Sequence, residues 1–278
     1  MHIKDTDGFD EKVRRMRDDG PQSIHIVTDF DKTLTKAFYN GKRHLSSFAL
    51  IRKNRYLGEE YAKKDHALFE TYHPIENDDT IPYEIKYKRM AEWWQKHHEF
   101  MREGGLTKEI LRRVARENPK VFRPGIEEFF RIVNAHGIPV LVFSAGLGDV
   151  ILELLRMHGY DTDNVHVISN FFEHDENGCV TDVKGELIHV LNKGEIALHG
   201  PYLETVRERS NVILLGDSEG DVSMAEGIDH GTILRLGFLN ADVKARLRKY
   251  EEMYDGVVTH DGPFDDINAT LKDILDTN

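Results

Sequence analysis

Short runs of consecutive apolar residues, separated by longer stretches of helical periodicity, constrain this chain more than any other feature. Residues 23–28, 139–143, 165–168, 211–215 and 232–236 each read as a strand that is apolar on both faces. Strands of that kind suit a parallel sheet covered on both sides. Helical patterns fall between them, over 126–135, 149–158, 201–209 and 221–226. Strand and helix in alternation predict an α/β fold wound by right-handed crossovers. Asn177-Gly178, between apolar segments at 171–174 and 179–183, adds a β-hairpin beside the sheet.

The rhythm breaks once. Residues 36–122 show no strand pattern, only helical stretches at 59–70, 83–102 and 108–117. A crossover needs about a dozen residues including its helix, so this segment is expected to form a small helical unit of its own. The predicted division is a core of residues 1–35 and 123–278 and a helical cap of 36–122, rejoined at Pro124-Gly125. The aromatic residues Tyr83, Tyr87, Trp93, Trp94 and Phe100 are read as packing inside that cap.

Composition excludes several function classes. Against 37 Lys and Arg stand 49 Asp and Glu, a net charge of −12, which argues against a nucleic-acid partner. A single cysteine, Cys179, excludes an internal disulfide framework and a cysteine-rich zinc site. The 15 histidines are scattered without metal-ligand spacing, and His25 reads as a buried strand residue. Gly146-Leu147-Gly148 lacks the third glycine of a dinucleotide fingerprint. No run approaches the ~20 apolar residues of a membrane span, and Met1-His2-Ile3-Lys4-Asp5 does not open a signal peptide. A cytoplasmic monomer without a membrane partner is expected.

The polar residues that follow the strands carry the chemistry, because ligands of open α/β sheets sit beyond the carboxyl ends of the strands. The first strand leads into Asp29-Phe30-Asp31-Lys32-Thr33. Two carboxylates so spaced can serve one ligand, one attacking an electrophile while the other handles protons. Gly216-Asp217-Ser218-Glu219-Gly220-Asp221 brings a second pair. Asp29, Asp217 and the carbonyl of Asp31 would suit Mg²⁺, with Asp221 supporting them or capping the next helix. Ser144-Ala145-Gly146 offers a hydroxyl and backbone N–H groups to an anion, or simply a strand-to-helix turn. Lys193 could neutralise a phosphate or be a solvated lysine ahead of another helix. As one site, these residues imply phosphoryl transfer through an aspartyl-phosphate on Asp29.

Asp29-x-Asp31-x-Thr33, Ser144, Lys193 and Gly216-Asp217-x-x-x-Asp221 resemble the four motifs of the haloacid dehalogenase superfamily. Longer stretches, including residues 27–35, Tyr39-Asn40-Gly41-Lys42-Arg43, Met90-Ala91-Glu92-Trp93-Trp94, 143–150 and 185–193, resemble the cytosolic 5′-nucleotidase III, or pyrimidine 5′-nucleotidase, family. The resemblance runs from about Pro21 nearly to the C-terminus. It implies a Rossmann-like core of haloacid dehalogenase type with an inserted helical cap. The implied reaction is Mg²⁺-dependent hydrolysis of nucleoside 5′-monophosphates, typically CMP and UMP, and in some members 7-methylguanosine monophosphate. By the same carry-over, Asp29 is nucleophile and metal ligand, and Asp31 is acid/base and metal ligand. Asp217 and Asp221 complete the metal site, while Ser144, Ala145 and Lys193 hold phosphate. Glu76, in His73-Pro74-Ile75-Glu76, corresponds to the base-binding glutamate, and Phe48 to an aromatic near the base. Ala49 stands where relatives are often polar, and His97 replaces a small residue and could touch the base or lie on the surface. The same core could serve a phosphatase of another small metabolite or a nucleoside phosphotransferase. A non-catalytic nucleotide sensor is disfavoured because Asp29 and Asp31 are both present.

Overall fold

The computed structural model describes residues 1–78, 80–118, 122–194, 201–226 and 229–275. Six parallel strands form the central sheet: β1 (Ile24–Thr28), β4 (Val140–Leu147), β5 (Val165–Asn170), β8 (Asn211–Gly216), β9 (Thr232–Leu239) and β10 (Gly256–Thr259). Their order is β10-β9-β8-β1-β4-β5. The five expected strands are all present, and β1, β4 and β8 are buried along their whole length. The sixth, β10, has four residues and no apolar run long enough to signal it. Its outer edge is partly covered, because His2 and Val257 exchange two backbone hydrogen bonds of 2.8 Å.

Strand order fixes where a ligand can sit. From β1 the chain builds β4 and β5 on one side, then returns to build β8, β9 and β10 on the other. The crevice this reversal creates lies at the carboxyl end of β1, between β4 and β8. Asp29, Ser144 and Asp217 come from those three strand ends.

Helices α1 (Thr6–Asp19), α6 (Ile126–Ala135), α7 (Gly148–Met157), α8 (Pro201–Val206), α9 (Val243–Met253) and α10 (Asp265–Ile274) flank the sheet. Of these, α6 matches its expected bounds, whereas 221–226 folds as a 3₁₀ turn over Gly220–Ala225. The expected hairpin is β6 (Phe172–His174) paired with β7 (Val180–Val183). Lys193 and Gly194 are helical, and the rest of the helical segment expected after Lys193, up to Gly200, lies outside the described residues.

Between β1 and β4 lie a short hairpin, β2 (Phe38–Tyr39) with β3 (Lys42–Arg43), and helices α2 (Ser47–Lys53), α3 (Gly58–Glu76), α4 (Tyr83–Glu103) and α5 (Lys108–Glu117). The hairpin corrects the expectation of an all-helical segment; two-residue strands carry too short a pattern to show. Pro74 lies in the last turn of α3, and the helix runs on past it to Glu76. The inserted segment is joined to the rest at its far end. Val180 N donates to Leu106 O and Lys108 N to Gly178 O, both at 2.9 Å.

Candidate active site

Asp29 leaves β1 with its backbone N–H on Leu215 O of β8 at 3.0 Å, which fixes it beside the next strand end. Phe30–Leu34 then forms one wide helical turn broken at Asp31 (φ −73°, ψ 121°) and Lys32 (φ 66°). A left-handed lysine is costly, and its setting shows what holds it. The buried guanidinium of Arg123 donates to Thr33 O at 2.7 Å and to Lys32 O, and Asn240 Nδ2 also donates to Lys32 O at 3.1 Å. Arg123 further binds Asp261 Oδ1 at 3.1 Å and Gly262 O at 2.7 Å, with Cζ 4.2 Å from the Phe238 ring centroid.

Asp29, Asp217 and Asp221 each place a carboxylate oxygen within 4.8 Å of the others. Lys193 Nζ joins them, 2.5 Å from Asp29 Oδ1 and 2.7 Å from Asp221 Oδ1, with its side chain 5% exposed. Burial pushes the Asp29 carboxyl up to about 8; Asp221 and Asp217 add to the rise and Lys193 opposes it. Burial, opposed chiefly by Lys32, leaves Asp217 at about 6. For Lys193 burial acts downward, but the carboxylates of Asp221 and Asp29 outweigh it and raise the ammonium above its ordinary value. Ionising all three carboxyls around one ammonium would leave an excess of buried negative charge, which is why Asp29 and Asp217 hold their protons above the usual carboxylate range. A hard divalent cation relieves that excess, and an all-oxygen donor set is what Mg²⁺ takes. The residues therefore fit the ion.

Asp221 has a narrower part than its neighbours. Its Oδ2 accepts from Asp217 N (3.1 Å), Ser218 N (3.0 Å) and Ser218 Oγ (2.8 Å), while Oδ1 faces Lys193. It ties the turn after β8 to the lysine. Gly216 permits this, since a Cβ there would lie 2.5 Å from the Asp221 Cβ and 2.8 Å from the Tyr254 hydroxyl. The Asp31 side chain is half-buried in the turn after β1 and is not one of the three clustered carboxylates.

On the other side of β1, Ser144 is 2% exposed and accepts from Gly146 N at 3.1 Å. The register of β4 on β5 shifts between Phe143 and Leu147, so this segment bulges. Two donors grip its Ala145 carbonyl, Trp94 Nε1 of α4 and Asn170 Nδ2, each at 2.9 Å. Asn170 also exchanges 2.8 Å bonds with the Ile188 backbone. Asn192 then closes the loop ahead of Lys193, accepting from His189 N at 2.7 Å and donating to Leu187 O at 2.9 Å. The phosphate-loop candidates and the lysine are thus one connected assembly. Sequence reasoning missed Asn170, although it stands at the end of β5 where the strand-end rule would have found it. Nothing in the sequence marks Arg123 or Asn192.

The three base-site candidates separate into two places. Phe48 and His97 pack together, ring centroids 4.9 Å apart, beside Trp94. The neighbouring Ser47 Oγ accepts from Leu147 N at 3.0 Å, which seats this cluster on the Ser144 loop. His97 is 4% exposed, so it is not a surface residue, and its Nδ1 lies against the carboxylate of buried Asp65, which Arg52 meets at 3.1 Å. Glu76 ends α3 eleven residues beyond Asp65, roughly 16 Å along the helix. There burial raises its carboxyl and the Lys32 ammonium draws it back down. Glu76 therefore faces the Asp29–Asp31 turn, and His97 the packing between α3 and α4. Of the aromatic residues expected inside the cap, Trp93 and Trp94 are buried, but Tyr83 is 55% exposed and its hydroxyl reaches Leu191 O at 3.0 Å, two residues before Lys193. His25 is buried as expected, with Nδ1 3.0 Å from the Tyr202 hydroxyl.

The model of the pyrimidine 5′-nucleotidase (UMPH-1) family matches residues 32–275. A human 7-methylguanosine phosphate-specific 5′-nucleotidase is 36% identical over 267 residues, 95% of this chain and 89% of that one. A Xenopus laevis protein, 7-methylguanosine phosphate-specific 5′-nucleotidase A, is 34% identical over 280 residues, 100% of this chain and 97% of its own. Among solved structures, cytosolic 5′-nucleotidase IIIB bound to cytidine superimposes with a TM-score of 0.91 at 31% identity, covering 99% of this chain and 94% of that one. A Salmonella enterica hydrolase of the haloacid dehalogenase family (TM-score 0.58, 14% identity, 97% of this chain and 82% of that one) shares the fold.

Proposed function

The chain belongs to the pyrimidine 5′-nucleotidase (UMPH-1) family and is a 5′-nucleotidase on a haloacid dehalogenase fold, and from that premise we propose how its residues divide the work and which nucleotides it takes. The substrates are CMP, UMP or 7-methylguanosine 5′-monophosphate, released as nucleoside and phosphate. An Asp29 carboxylate oxygen attacks phosphorus while the bond from phosphorus to O5′ breaks, and Asp31 gives O5′ its proton. Water then attacks the aspartyl-phosphate, Asp31 takes the proton back, and phosphate leaves. Ser144, the Ala145 backbone and Lys193 hold the phosphoryl oxygens. Bound Mg²⁺, held by Asp29, Asp217 and the Asp31 carbonyl, would neutralise phosphate charge, with Asp221 supporting Asp217 and Lys193 from behind. Residues 36–122 serve as the cap, and Glu76 receives the base, where a carboxylate can accept an exocyclic amine or pair with a cationic methylated guanine. Phe48 and His97 shape the cap side of the pocket through their packing on the Ser144 loop. The protein works as a cytoplasmic monomer; among the described residues no helix is long and apolar enough to cross a membrane.

The observation that carries this reading is the convergence of Asp29, Asp217 and Asp221 beside Lys193 at the reversal point of the sheet. Its test is phosphate release from CMP, UMP, dCMP, AMP, GMP, 7-methylguanosine monophosphate and phosphoserine, with Mg²⁺ and with EDTA. Preference for the first two or for the methylated guanylate, lost in EDTA, is expected. Release from phosphoserine alone would overturn the substrate assignment.

A further inference from the structure

Beside the carboxylate cluster, a cleft of about 90 Å³ opens between the β2–β3 hairpin and the start of α9, lined among others by Lys32, Phe38, Arg43, Asp217, Arg246 and Tyr250. Two guanidiniums reach it from separate elements. Arg43 of β3 has Cζ 5.9 Å from the Phe38 ring centroid, and Arg246 of α9 has Cζ 5.2 Å from that of Tyr250. Neither forms an ion pair among the described residues, although the chain carries twelve more acidic than basic groups. Guanidiniums laid against aromatic rings are partly ordered before a ligand arrives, and they bind phosphate through paired N–H groups.

Lys32 adds a third cation from the turn that Arg123 and Asn240 hold. The cleft also contains two acidic residues, Asp217 and Asp242. Asp217 is shared with the carboxylate cluster, so the cleft adjoins the reacting centre. Tyr250 ties the wall carrying Arg246 to that centre, its hydroxyl donating to Asp217 O at 2.5 Å.

We propose that this cleft is a second anion subsite, in which Arg43 and Arg246 hold a further phosphate carried by the nucleotide. The substrate class then extends to nucleoside bisphosphates, with the 5′-phosphate at Asp29 and the second phosphate in the cleft. Water cleaves only the 5′-ester, giving inorganic phosphate and a nucleoside that keeps its other phosphate. The substrate part of the inference rests on Asp29 as the reacting centre; the anion subsite itself does not.

Calorimetric titration of the full-length Asp29→Asn chain, with CMP and with cytidine 3′,5′-bisphosphate, tests it without turnover. The bisphosphate is expected to bind about tenfold more tightly than CMP, the scale of one charge-assisted contact pair. Arg43→Gln and Arg246→Gln should each remove most of that gain and leave CMP binding unchanged. Raising the salt should shrink the gain as well. Equal affinities for the two nucleotides, or a gain that survives both substitutions, would overturn the substrate extension. Inorganic phosphate, titrated into the same proteins, separates the other source of the anion. Arginine-dependent phosphate binding without a bisphosphate gain would keep the subsite for free phosphate and discard the substrate. Absence of both would discard the subsite. Failure of the wild-type chain to release phosphate from any nucleotide would instead count against the proposed function, and the calorimetry would still decide the cleft.

Discussion

Lys193 lies 2.5 Å from Asp29 and 2.7 Å from Asp221, buried with both. A lysine in that position can hold a phosphoryl oxygen only if the loop before it keeps its shape, and Asn170 and Asn192 supply that shape. Asn170→Ala removes three hydrogen bonds at a site 1% exposed and leaves the Ile188 backbone N–H and C=O without that partner. A loss of about 2–4 kcal/mol in stability is expected, read from urea unfolding. At a temperature where the variant is folded, kcat should fall more than tenfold because Ala145 and Lys193 lose their common brace. Unchanged kcat would separate Asn170 from phosphate positioning. Asp29→Asn should lower turnover by several orders of magnitude, the usual consequence of removing a nucleophile, with the circular dichroism spectrum preserved. Phosphate release within tenfold of wild type would sink the nucleophile assignment.

At the scale of elements, the turn after β1 depends on a residue ninety positions further along the chain. Arg123 follows the inserted segment, and its guanidinium binds the carbonyls of Lys32 and Thr33 as well as Asp261. Arg123→Met should cost about 2–4 kcal/mol, since it takes the guanidinium donor from the carbonyls of the turn and removes one partner of Asp261, which keeps the Ala37 and Phe38 N–H groups and Lys36. Arg123→Lys keeps the charge but not the fork, so it should fold and lose kcat with KM little changed. Steady-state kinetics on a nucleotide substrate checks this; a loss confined to stability would make Arg123 a structural residue only. Motifs such as Asp29-x-Asp31 and Gly216-Asp217 were legible because apolar runs deliver them to strand ends, and local periodicity reports such runs. Arg123 was not legible, because its role exists only once β9 and the loop after β10 close around it. The β2–β3 hairpin and β10 escaped notice for a simpler reason, having two and four residues per strand. Glu76 and His97 show the remaining limit. Helix spacing could place each on a face, but their separation along the pair α3 and α4 depends on how those helices meet.

For the whole molecule, two sets of buried ionisable groups, histidines and carboxyls, set opposing pH dependences. Burial lowers His25 to about 3, His98 to about 3 and His189 to about 4, each from an ordinary 6.5. Between those values and 6.5 the unfolded chain binds more protons than the folded one, so stability rises with pH. Asp29 and Asp217 act the other way. Raised from 3.8 to about 8 and about 6, they keep protons in the folded chain that the unfolded chain has lost, so stability falls as pH rises through those windows. Below about 6 the three histidines outweigh the two carboxyls. Above 6.5 only Asp29 remains of these five, and it should remove of order 2 kcal/mol by pH 8. In EDTA, Tm should therefore peak near pH 6 to 6.5 and decline on the alkaline side. Saturating Mg²⁺ holds the carboxylates ionised, so it should flatten that decline and stabilise the protein increasingly from pH 6 to 8. It should also release close to one proton per ion at pH 7, measurable by calorimetry in buffers of different ionisation enthalpy. Thermal unfolding from pH 4 to 9 with and without Mg²⁺ checks the whole scheme. An alkaline limb unaffected by Mg²⁺ would show that the Asp29 cluster does not hold the ion.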